Sequence, residues 1–369
     1  MTYDAILFAS FGGPEGQDDV LPFLRNVTRG RGIPDERLEQ VAGHYRALGG
    51  RSPINDQNRA LIAALEAELA RRGIDLPVYW GNRNWAPYTG DTLAAMHADG
   101  HRRVLALATS AYSSYSSCRQ YREDFARGLD EHGLLDELTI DKVQVYFDQR
   151  GFLEPVADGV RTALAELAAD HDEIEVLFST HSIPLTMAEE SGPEPAGEGG
   201  WYVAQHLAAC TWVMEQIGEP TPPWRLVYQS RSGNPRTPWL EPDVNDVIEE
   251  IAAEGRTTAV VVVPIGFVSD HVEVIWDLDT EARETAETHR LGFRRVATSG
   301  TDPRFVASLV DLVAQALTPG AGRAGVTGAG LVEGTCGRTC CRVADGADTG
   351  RSVEPLSEIA ARLRAQAPA

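Results

Sequence analysis

The chain has 369 residues, which is enough for two domains that each bury a core of their own. Its 33 lysines and arginines stand against 54 aspartates and glutamates, and the formal net charge of −21 disfavours nucleic acid and anionic membranes, because both attract basic surfaces. The N-terminus lacks the basic start and long apolar stretch of a signal peptide, and the longest strongly apolar run, 259–268, is far short of a bilayer span. We therefore expect a cytoplasmic protein without integral membrane contact.

Short runs of apolar and β-branched residues predict β-strands, and segments with helical periodicity, such as 58–65 and 160–167, separate them. The runs are residues 5–8, 78–80, 104–107, 143–146, 176–178, 226–228 and 259–263. Strands that alternate with helices predict an α/β protein with parallel sheets and helices on both faces. The last run, AVVVV, has no polar residue, as expected of a strand that is buried on both sides.

The chain is predicted to divide into three parts, at residues 1–140, 141–317 and 318–369. The first two are α/β halves, and the last helix of the second half can pack back on the first. The third part begins where the sequence changes to a linker rich in glycine and alanine. It carries three clustered cysteines and could end in a short helix at 357–366.

The motif FSTHSIP places His181 three residues after the apolar run 174–178, where the predicted strand should end. In open α/β sheets, ligands bind beyond the carboxyl ends of the strands, so this is a position for chemistry. An imidazole there can accept a proton or donate a lone pair to a metal near neutral pH. By position alone, a structural histidine that caps a helix or fills a polar niche is the more common outcome.

The helix predicted to begin near His271 stacks acidic residues on one face. These residues are Glu273, Asp277, Glu281 and Glu284. A solvated acidic face is the ordinary explanation, and we favour it for the last two. Glu273 differs because it lies at the strand-end rim where His181 also emerges, and an imidazole facing a carboxylate suits a borderline divalent ion such as Fe²⁺.

Two further segments have the composition of a binding site. Residues 107–124, LATSAYSSYSSCRQYRED, interleave tyrosines with serines, which would suit a pocket for a flat amphipathic ligand, although a polar loop is an equal alternative. NVTRGRGIP and RALGGRSPIN place Arg29 and neighbouring arginines within an acidic protein, which suggests recognition of carboxylate or phosphate. Pairing with surface carboxylates explains these arginines equally well.

Several stretches of the chain resemble sequences of the ferrochelatases. They are FGGPEG, FLRNVTRGRGIP, GGRSPIN, SAYSSYSSCRQY, FSTHSIP, VYQSRSGNPRTPWLEPD and VPIGFVSDHVEVIWDLD. The resemblance covers residues 1 to about 317, and the combination of THSIP with GFVSDHVEV at this separation is highly specific. It implies two Rossmann-like domains with a porphyrin cleft between them, and a lyase that inserts Fe²⁺ into a distorted macrocycle during heme biosynthesis.

The same resemblance assigns residues. It implies that His181 and Glu273 form the catalytic pair associated with the metal. His181 would accept pyrrole protons and ligate iron transiently, while Glu273 would help to pass protons or metal, and which residue does which stays open. The residues implied to contact the porphyrin are Ser52 and Tyr121, with Arg29 and Tyr45 beside its propionates.

The cysteines Cys336, Cys340 and Cys341 resemble the C-terminal ligands of the [2Fe–2S] cluster that some ferrochelatases hold together with one internal cysteine. The usual place of that internal ligand, around 153–156, contains no cysteine. Cys118, Cys210 or a non-cysteine ligand is left to serve as the fourth. Cys118 lies in the segment implied to line the porphyrin, and Cys210 could equally be a small buried apolar residue. We expect a cluster, with zinc or no metal as the alternatives.

The resemblance is to the soluble bacterial branch of the family, which implies coproporphyrin III as the substrate and Fe-coproporphyrin III as the product. Protoporphyrin IX is the alternative substrate. A chelatase for another metal or tetrapyrrole, and a heme or porphyrin carrier without catalysis, are the competing functions. The presence of both His181 and Glu273 favours catalysis, and we expect a monomer.

Overall fold

The computed structural model describes residues 3–30, 32–193, 196–232, 236–318, 325–327, 341 and 354–366. Within them, eight strands form two parallel four-stranded sheets, in the orders β2-β1-β3-β4 and β6-β5-β7-β8. The strands of the first sheet are β1 (Ala5–Ser10), β2 (Val78–Asn82), β3 (Arg103–Ala108) and β4 (Thr139–Lys142). Those of the second are β5 (Ile174–His181), β6 (Trp224–Gln229), β7 (Ala259–Val263) and β8 (Gly292–Arg295). The predicted α/β class with parallel sheets is confirmed.

Helices flank both sheets. Those before the second sheet are α1 (Val20–Val27), α2 (Asp35–Ala47), α3 (Ile54–Arg71), α4 (Thr89–Ala98), α5 (Gln120–Glu131) and α6 (Arg150–Leu167). The later ones are α7 (Leu185–Glu189), α8 (Gly200–Ile217), α9 (Val244–Glu254), α10 (Val272–Val274), α11 (Arg283–Thr288), α12 (Pro303–Leu317) and α13 (Leu356–Gln366). A 3₁₀ turn covers Gln17–Asp19, and π-helices cover Tyr115–Arg119 and Ile275–Ala282.

The fully buried strands lie inside the sheets. All residues of β1 and β7 are buried, and each of these apolar strands has a neighbour on both sides. One hydrophobic cluster includes Phe8 of the first sheet and Phe178 of the second, so the two sheets share a core. α12 packs on α6 and also on α3, where Arg72 donates from Nη2 to the carbonyl oxygen of Ala307 at 3.1 Å.

Six of the predicted strands are present, and the seventh prediction is wrong. Residues 143–146 lie outside any strand and directly follow β4. Their apolar side chains are buried nonetheless, and Tyr146 donates from its hydroxyl to the carbonyl oxygen of Ala108 at 2.9 Å. The apolar pattern therefore correctly indicated that these side chains are buried, but they belong to a loop that enters the core. The edge strands β4 and β8, the latter with sequence GFRR, were not predicted.

The division at residues 140 and 317 stays a prediction, and residue 141 itself lies within β4. Among the described residues, no helix is both long and apolar enough to cross a bilayer.

Candidate active site

His181 is the last residue of β5, the position at which parallel sheets present ligand-binding side chains. Its Nδ1 atom lies 2.5 Å from the carbonyl oxygen of Ser182. Because a carbonyl oxygen can only accept, the neutral ring carries its hydrogen on Nδ1 and keeps a lone pair on Nε2. The side chain is 34% exposed. Nε2 is therefore available to a proton or a metal ion.

Glu273 lies opposite this nitrogen, with Oε2 at 3.9 Å from Nε2 of His181. It is carried by α10, which continues into the π-helix Ile275–Ala282. Arg295 connects the loop before this segment to the middle of the π-helix, because it contacts the two carboxylate oxygens of Asp270 at 3.0 and 3.1 Å and Oδ1 of Asp279 at 2.8 Å. The predicted pair is thus brought together by the ends of two neighbouring strands, β5 and β7.

The pair offers two ligand atoms. The described residues contain no group of three or more His, Cys, Asp or Glu side chains arranged to hold a metal ion. Two ligands leave most coordination positions open, which suits an ion that arrives and leaves as a substrate.

The strand end behind His181 is held by a chain of buried hydrogen bonds. The hydroxyl of Tyr202 donates to the carbonyl oxygen of His181 at 2.8 Å. Oγ1 of Thr180 lies 2.8 Å from that hydroxyl and 2.9 Å from Nε2 of His206. Burial lowers the pKa of His206 to about 3, and its ring stacks on Tyr112 with centroids 3.6 Å apart. These contacts fix the backbone from which the exposed imidazole projects.

Asp277 lies about one turn beyond Glu273. Burial raises the pKa of its carboxyl to about 7, and the negative charge of Glu273 acts in the same direction. The hydroxyl of Ser230 and the amide of Gln229, the latter at 3.1 Å, donate hydrogen bonds that oppose this shift. A carboxyl with such a pKa changes its protonation near neutral pH, so Asp277 can exchange protons beside the His181–Glu273 pair.

Tyr45 is buried in α2. Burial, followed by the charges of Glu273 and Asp277, raises the pKa of its hydroxyl well above the ordinary value. It shares a small apolar cluster with Val272 of α10. One residue earlier, His44 stacks on Trp276 with ring centroids 4.2 Å apart. The first half therefore closes on the segment that carries Glu273, and contact of Tyr45 with a propionate stays a prediction.

The other side chains implied to contact a porphyrin lie on the first half. Ser52 is buried, beside the loop that follows β1. Tyr121 is buried in the first turn of α5, and the guanidinium of Arg83 lies 4.2 Å from its ring centroid. Arg29 is exposed after α1, and its guanidinium makes no ion pair with the described residues. No hydrogen bond or ion pair joins these three to the His181–Glu273 pair, and their roles stay predictions.

The cysteines are distinguished by their neighbours. Cys336 and Cys340 lie outside the described residues, whereas Cys341 is described and buried. A hydrogen bond with Cys341 raises the pKa of the Cys118 thiol well above its ordinary value, and burial acts in the same direction. Burial alone raises the pKa of Cys210, which lies within α8. Of the two internal cysteines that the sequence left open, Cys118 is therefore the one that meets Cys341.

Sequence reasoning missed several residues of the site. Tyr202 and His206 carried a signal, because they are four residues apart in the apolar helix α8 and so share a face. Arg83 follows β2, and Ser230 follows β6, at the same strand-end position that drew attention to His181. Their partners could not be predicted, because the contacts join residues far apart in the chain.

The fold and this geometry define an α/β protein whose side chains at the carboxyl ends of the second sheet's strands have the chemistry to bind a metal ion and to exchange protons. The family model for Ferrochelatase matches residues 3–317. The chain therefore belongs to the ferrochelatase family, and it is an enzyme of the metal-chelatase type.

Curated relatives agree with this family. The chain is 58% identical over 356 residues to a coproporphyrin III ferrochelatase of Leifsonia xyli, covering 92% of this chain and 91% of that one. It is 59% identical over 320 residues to a coproporphyrin III ferrochelatase of Streptomyces coelicolor, covering 84% of each. A ferrochelatase of Rhodopirellula baltica is 45% identical over 339 residues, covering 92% and 93%. The solved structure of SirB from Bacillus subtilis with Fe³⁺ has a TM-score of 0.48 and 12% identity, covering 86% and 96%, which is too distant to bear on function.

Proposed function

We propose that this chain inserts Fe²⁺ into coproporphyrin III and gives Fe-coproporphyrin III, a step of heme biosynthesis. The observation that carries the proposal is the half-exposed His181–Glu273 pair, in which a lone pair of an imidazole faces a carboxylate across 3.9 Å. The substrate is supported by the relatives named coproporphyrin III ferrochelatase, which are 47–59% identical over most of their length. The exposed Arg29, which makes no ion pair with the described residues, would suit a propionate.

The reaction needs both a metal-binding and a proton-accepting function. Fe²⁺ replaces two pyrrole hydrogens, so two protons must leave the macrocycle as the iron–nitrogen bonds form. Nε2 of His181 is placed to accept a proton, because its tautomer is fixed by the Ser182 carbonyl. Glu273 supplies negative charge to the cation. Asp277, with a pKa of about 7, is a further acceptor near this pair.

Substitution of His181 tests these roles. We expect His181→Ala to lower kcat for iron insertion by about 100-fold or more, because it removes the positioned base, while coproporphyrin still binds. Iron insertion is followed by absorbance and porphyrin binding by fluorescence. His289→Ala, at an exposed histidine outside the site, is the matched control. Full turnover by His181→Ala would contradict the assignment, and binding without turnover by the wild-type protein would support the carrier function instead.

We further propose that Cys118 joins Cys341, and with it Cys336 and Cys340, as a ligand of a [2Fe–2S] cluster. The contact between the thiols of Cys118 and Cys341 supports this choice, since cluster ligands must converge on one point. We expect Cys118→Ser to remove the visible absorbance bands of the protein as purified under anaerobic conditions, while Cys210→Ser retains them. Bands that depend on Cys210, or no bands in the wild type, would contradict the proposal. The cytoplasmic location and the monomeric state stay predictions.

A further inference from the structure

A buried cluster of charged residues lies outside the His181–Glu273 site. Its members are Arg119 and Glu123, beside the implied porphyrin contact Tyr121, and Glu354 and Arg362 at the C-terminal end of the chain. The side chains of Arg119, Glu123 and Glu354 are 2%, 7% and 5% exposed. Two guanidinium groups balance two carboxylates, which is the condition for holding charges away from water.

The contacts of the cluster connect two distant parts of the chain. Arg119 forms an ion pair with Glu354 and places Nε 3.4 Å from Oε1 of Glu123. Arg362 donates from Nη2 to the same oxygen of Glu123 at 2.8 Å. Arg122 donates to the backbone carbonyl of Glu354. These contacts connect Glu354 and Arg362 to residues 119–123.

Apolar packing seats α13 on the same element. Ile359 and Ala360 are buried against Ala126 of α5, with Leu356 and Leu363 beside them. A second, exposed ion pair joins Arg364 to Asp130 farther along α5. The helix therefore makes one polar contact with the buried cluster, through Arg362 and Glu123, and one exposed polar contact outside the cluster, through Arg364 and Asp130.

The anchored stretch, residues 114–121, is here called the lining turn. It includes the π-helix Tyr115–Arg119, a wide form of helix that is rare and needs support from its surroundings. The hydroxyl of Tyr115 donates to Oε2 of Glu123 at 2.8 Å, so the buried cluster holds both ends of the π-helix. Cys118, within the turn, also contacts the C-terminal part of the chain through Cys341.

We infer that α13 and the preceding Glu354 hold the lining turn in the conformation that binds the porphyrin. Arg119 and Glu123 are the positioning residues, and Glu354 is their ion-pair partner from the C-terminal part of the chain. The inference rests on the proposed function, because it takes the lining turn as part of the porphyrin site. Neutralising Glu354 removes one of the two carboxylates that pair with the buried guanidinium of Arg119 and leaves Glu123, which Arg362 also contacts. The lining turn then relaxes, and Tyr121 loses its fixed position.

Glu354→Gln tests this role, and Arg364→Ala, which removes the exposed ion pair of α13 with Asp130, is the control. For Glu354→Gln we expect KM and Kd for coproporphyrin III to rise about tenfold while kcat changes less than about twofold, since substrate positioning is affected and the His181–Glu273 pair is not. Amide hydrogen exchange in peptides covering 114–122 should become faster in Glu354→Gln and stay unchanged in Arg364→Ala. Glu354→Asp, which retains the charge, should give intermediate values.

Two outcomes would overturn the inference. A lower Tm with unchanged KM and unchanged exchange would show that α13 contributes stability alone, and a variant identical to the wild type would show no role. If Glu354→Gln does not fold, Arg362→Gln at the 30% exposed edge of the cluster replaces it and must meet the same criteria. If the wild-type protein inserts no iron, the proposed function fails, and hydrogen exchange still decides whether the cluster holds the lining turn.

Discussion

At the scale of single residues, the chemistry depends on where two protons are held. The Ser182 carbonyl keeps one on Nδ1 of His181, so that Nε2 faces Glu273 with a lone pair. Burial keeps the other on Asp277 up to about neutral pH. The two side chains can therefore differ in protonation although both lie beside Glu273.

Asp277→Asn should weaken the pH dependence of stability. The carboxyl has a pKa of about 7 when folded, against an ordinary value of 3.8, so the folded state binds this proton more tightly. Its contribution is fully present below the unfolded pKa and is lost as pH rises through the folded pKa. Between about pH 5 and pH 7 the loss is about 2 kcal/mol, because the slope of about 1.4 kcal/mol per pH unit falls as the pH reaches the folded pKa.

Urea unfolding of the wild type and of Asp277→Asn at the two pH values measures this loss. The free energy of unfolding of the wild type should fall more steeply with pH than that of the variant. Asp246→Asn, at an exposed aspartate, should behave as the wild type does. Equal slopes for wild type and Asp277→Asn would mean that the carboxyl titrates normally.

Residue-scale prediction from the sequence used motifs that mark strand ends. They placed His181 and Glu273 at one rim of the sheet, where the structure brings the two side chains to 3.9 Å from each other, and their roles stay predictions. Ser230 and Gln229 were not found as partners of Asp277, because 47 or 48 residues separate them in the chain and no local pattern reports such a contact.

At the scale of elements, the site requires β5 and β7 to end side by side. The backbone N–H of Gly266, in the loop after β7, donates to the carbonyl oxygen of Ser179 in β5 at 3.2 Å. A Cβ atom on Gly266 would lie 2.1 Å from Oγ1 and 2.7 Å from Cβ of Thr180. Glycine is thus required where the loop that leads to Glu273 crosses the strand that carries His181.

Gly266→Ala should therefore disturb stability and activity together. We expect a loss of about 1–3 kcal/mol in the free energy of unfolding, because the added methyl group overpacks the strand end. A lower kcat should accompany it, since His181 moves with Thr180. Gly43→Ala, where nothing lies within 4 Å, should be neutral or stabilising by up to about 1 kcal/mol. Denaturant unfolding and iron-insertion assays compare the two, and wild-type behaviour of Gly266→Ala would contradict the role of this crossing.

Element-scale prediction was limited by what periodicity can report. Alternation of apolar runs with helical segments identified six strands, because those runs are buried in sheets. The same signal failed at 143–146, where a loop is buried. The π-helix at 275–282 lies where an ordinary helix was predicted, and the π-helix at 115–119 was not predicted, since a wider turn depends on tertiary contacts such as those of Arg119 and Asp277.

At the scale of the whole molecule, the net charge of −21 acts on both substrates in opposite directions. The field attracts Fe²⁺ and repels a porphyrin that carries several carboxylates. Salt screens both effects, with a Debye length of about 10 Å at about 0.1 M.

We therefore expect KM for Fe²⁺ to rise and KM for coproporphyrin III to fall when salt is raised from about 20 mM to about 200 mM, where screening is stronger. Steady-state kinetics at the two salt concentrations, with the other substrate saturating, gives both values. A rise in KM for the porphyrin would show that local contacts with cations such as Arg29 outweigh the field of the whole molecule.

The central claim is that the chain inserts Fe²⁺ into coproporphyrin III. Anaerobic absorbance spectroscopy of the purified protein with Fe²⁺ and coproporphyrin III, with protoporphyrin IX in parallel, tests it most directly. We predict rapid conversion of coproporphyrin III to its iron complex and little conversion of protoporphyrin IX. Preferential conversion of protoporphyrin IX would contradict the substrate, and spectral shifts on porphyrin binding without metal insertion would contradict catalysis itself.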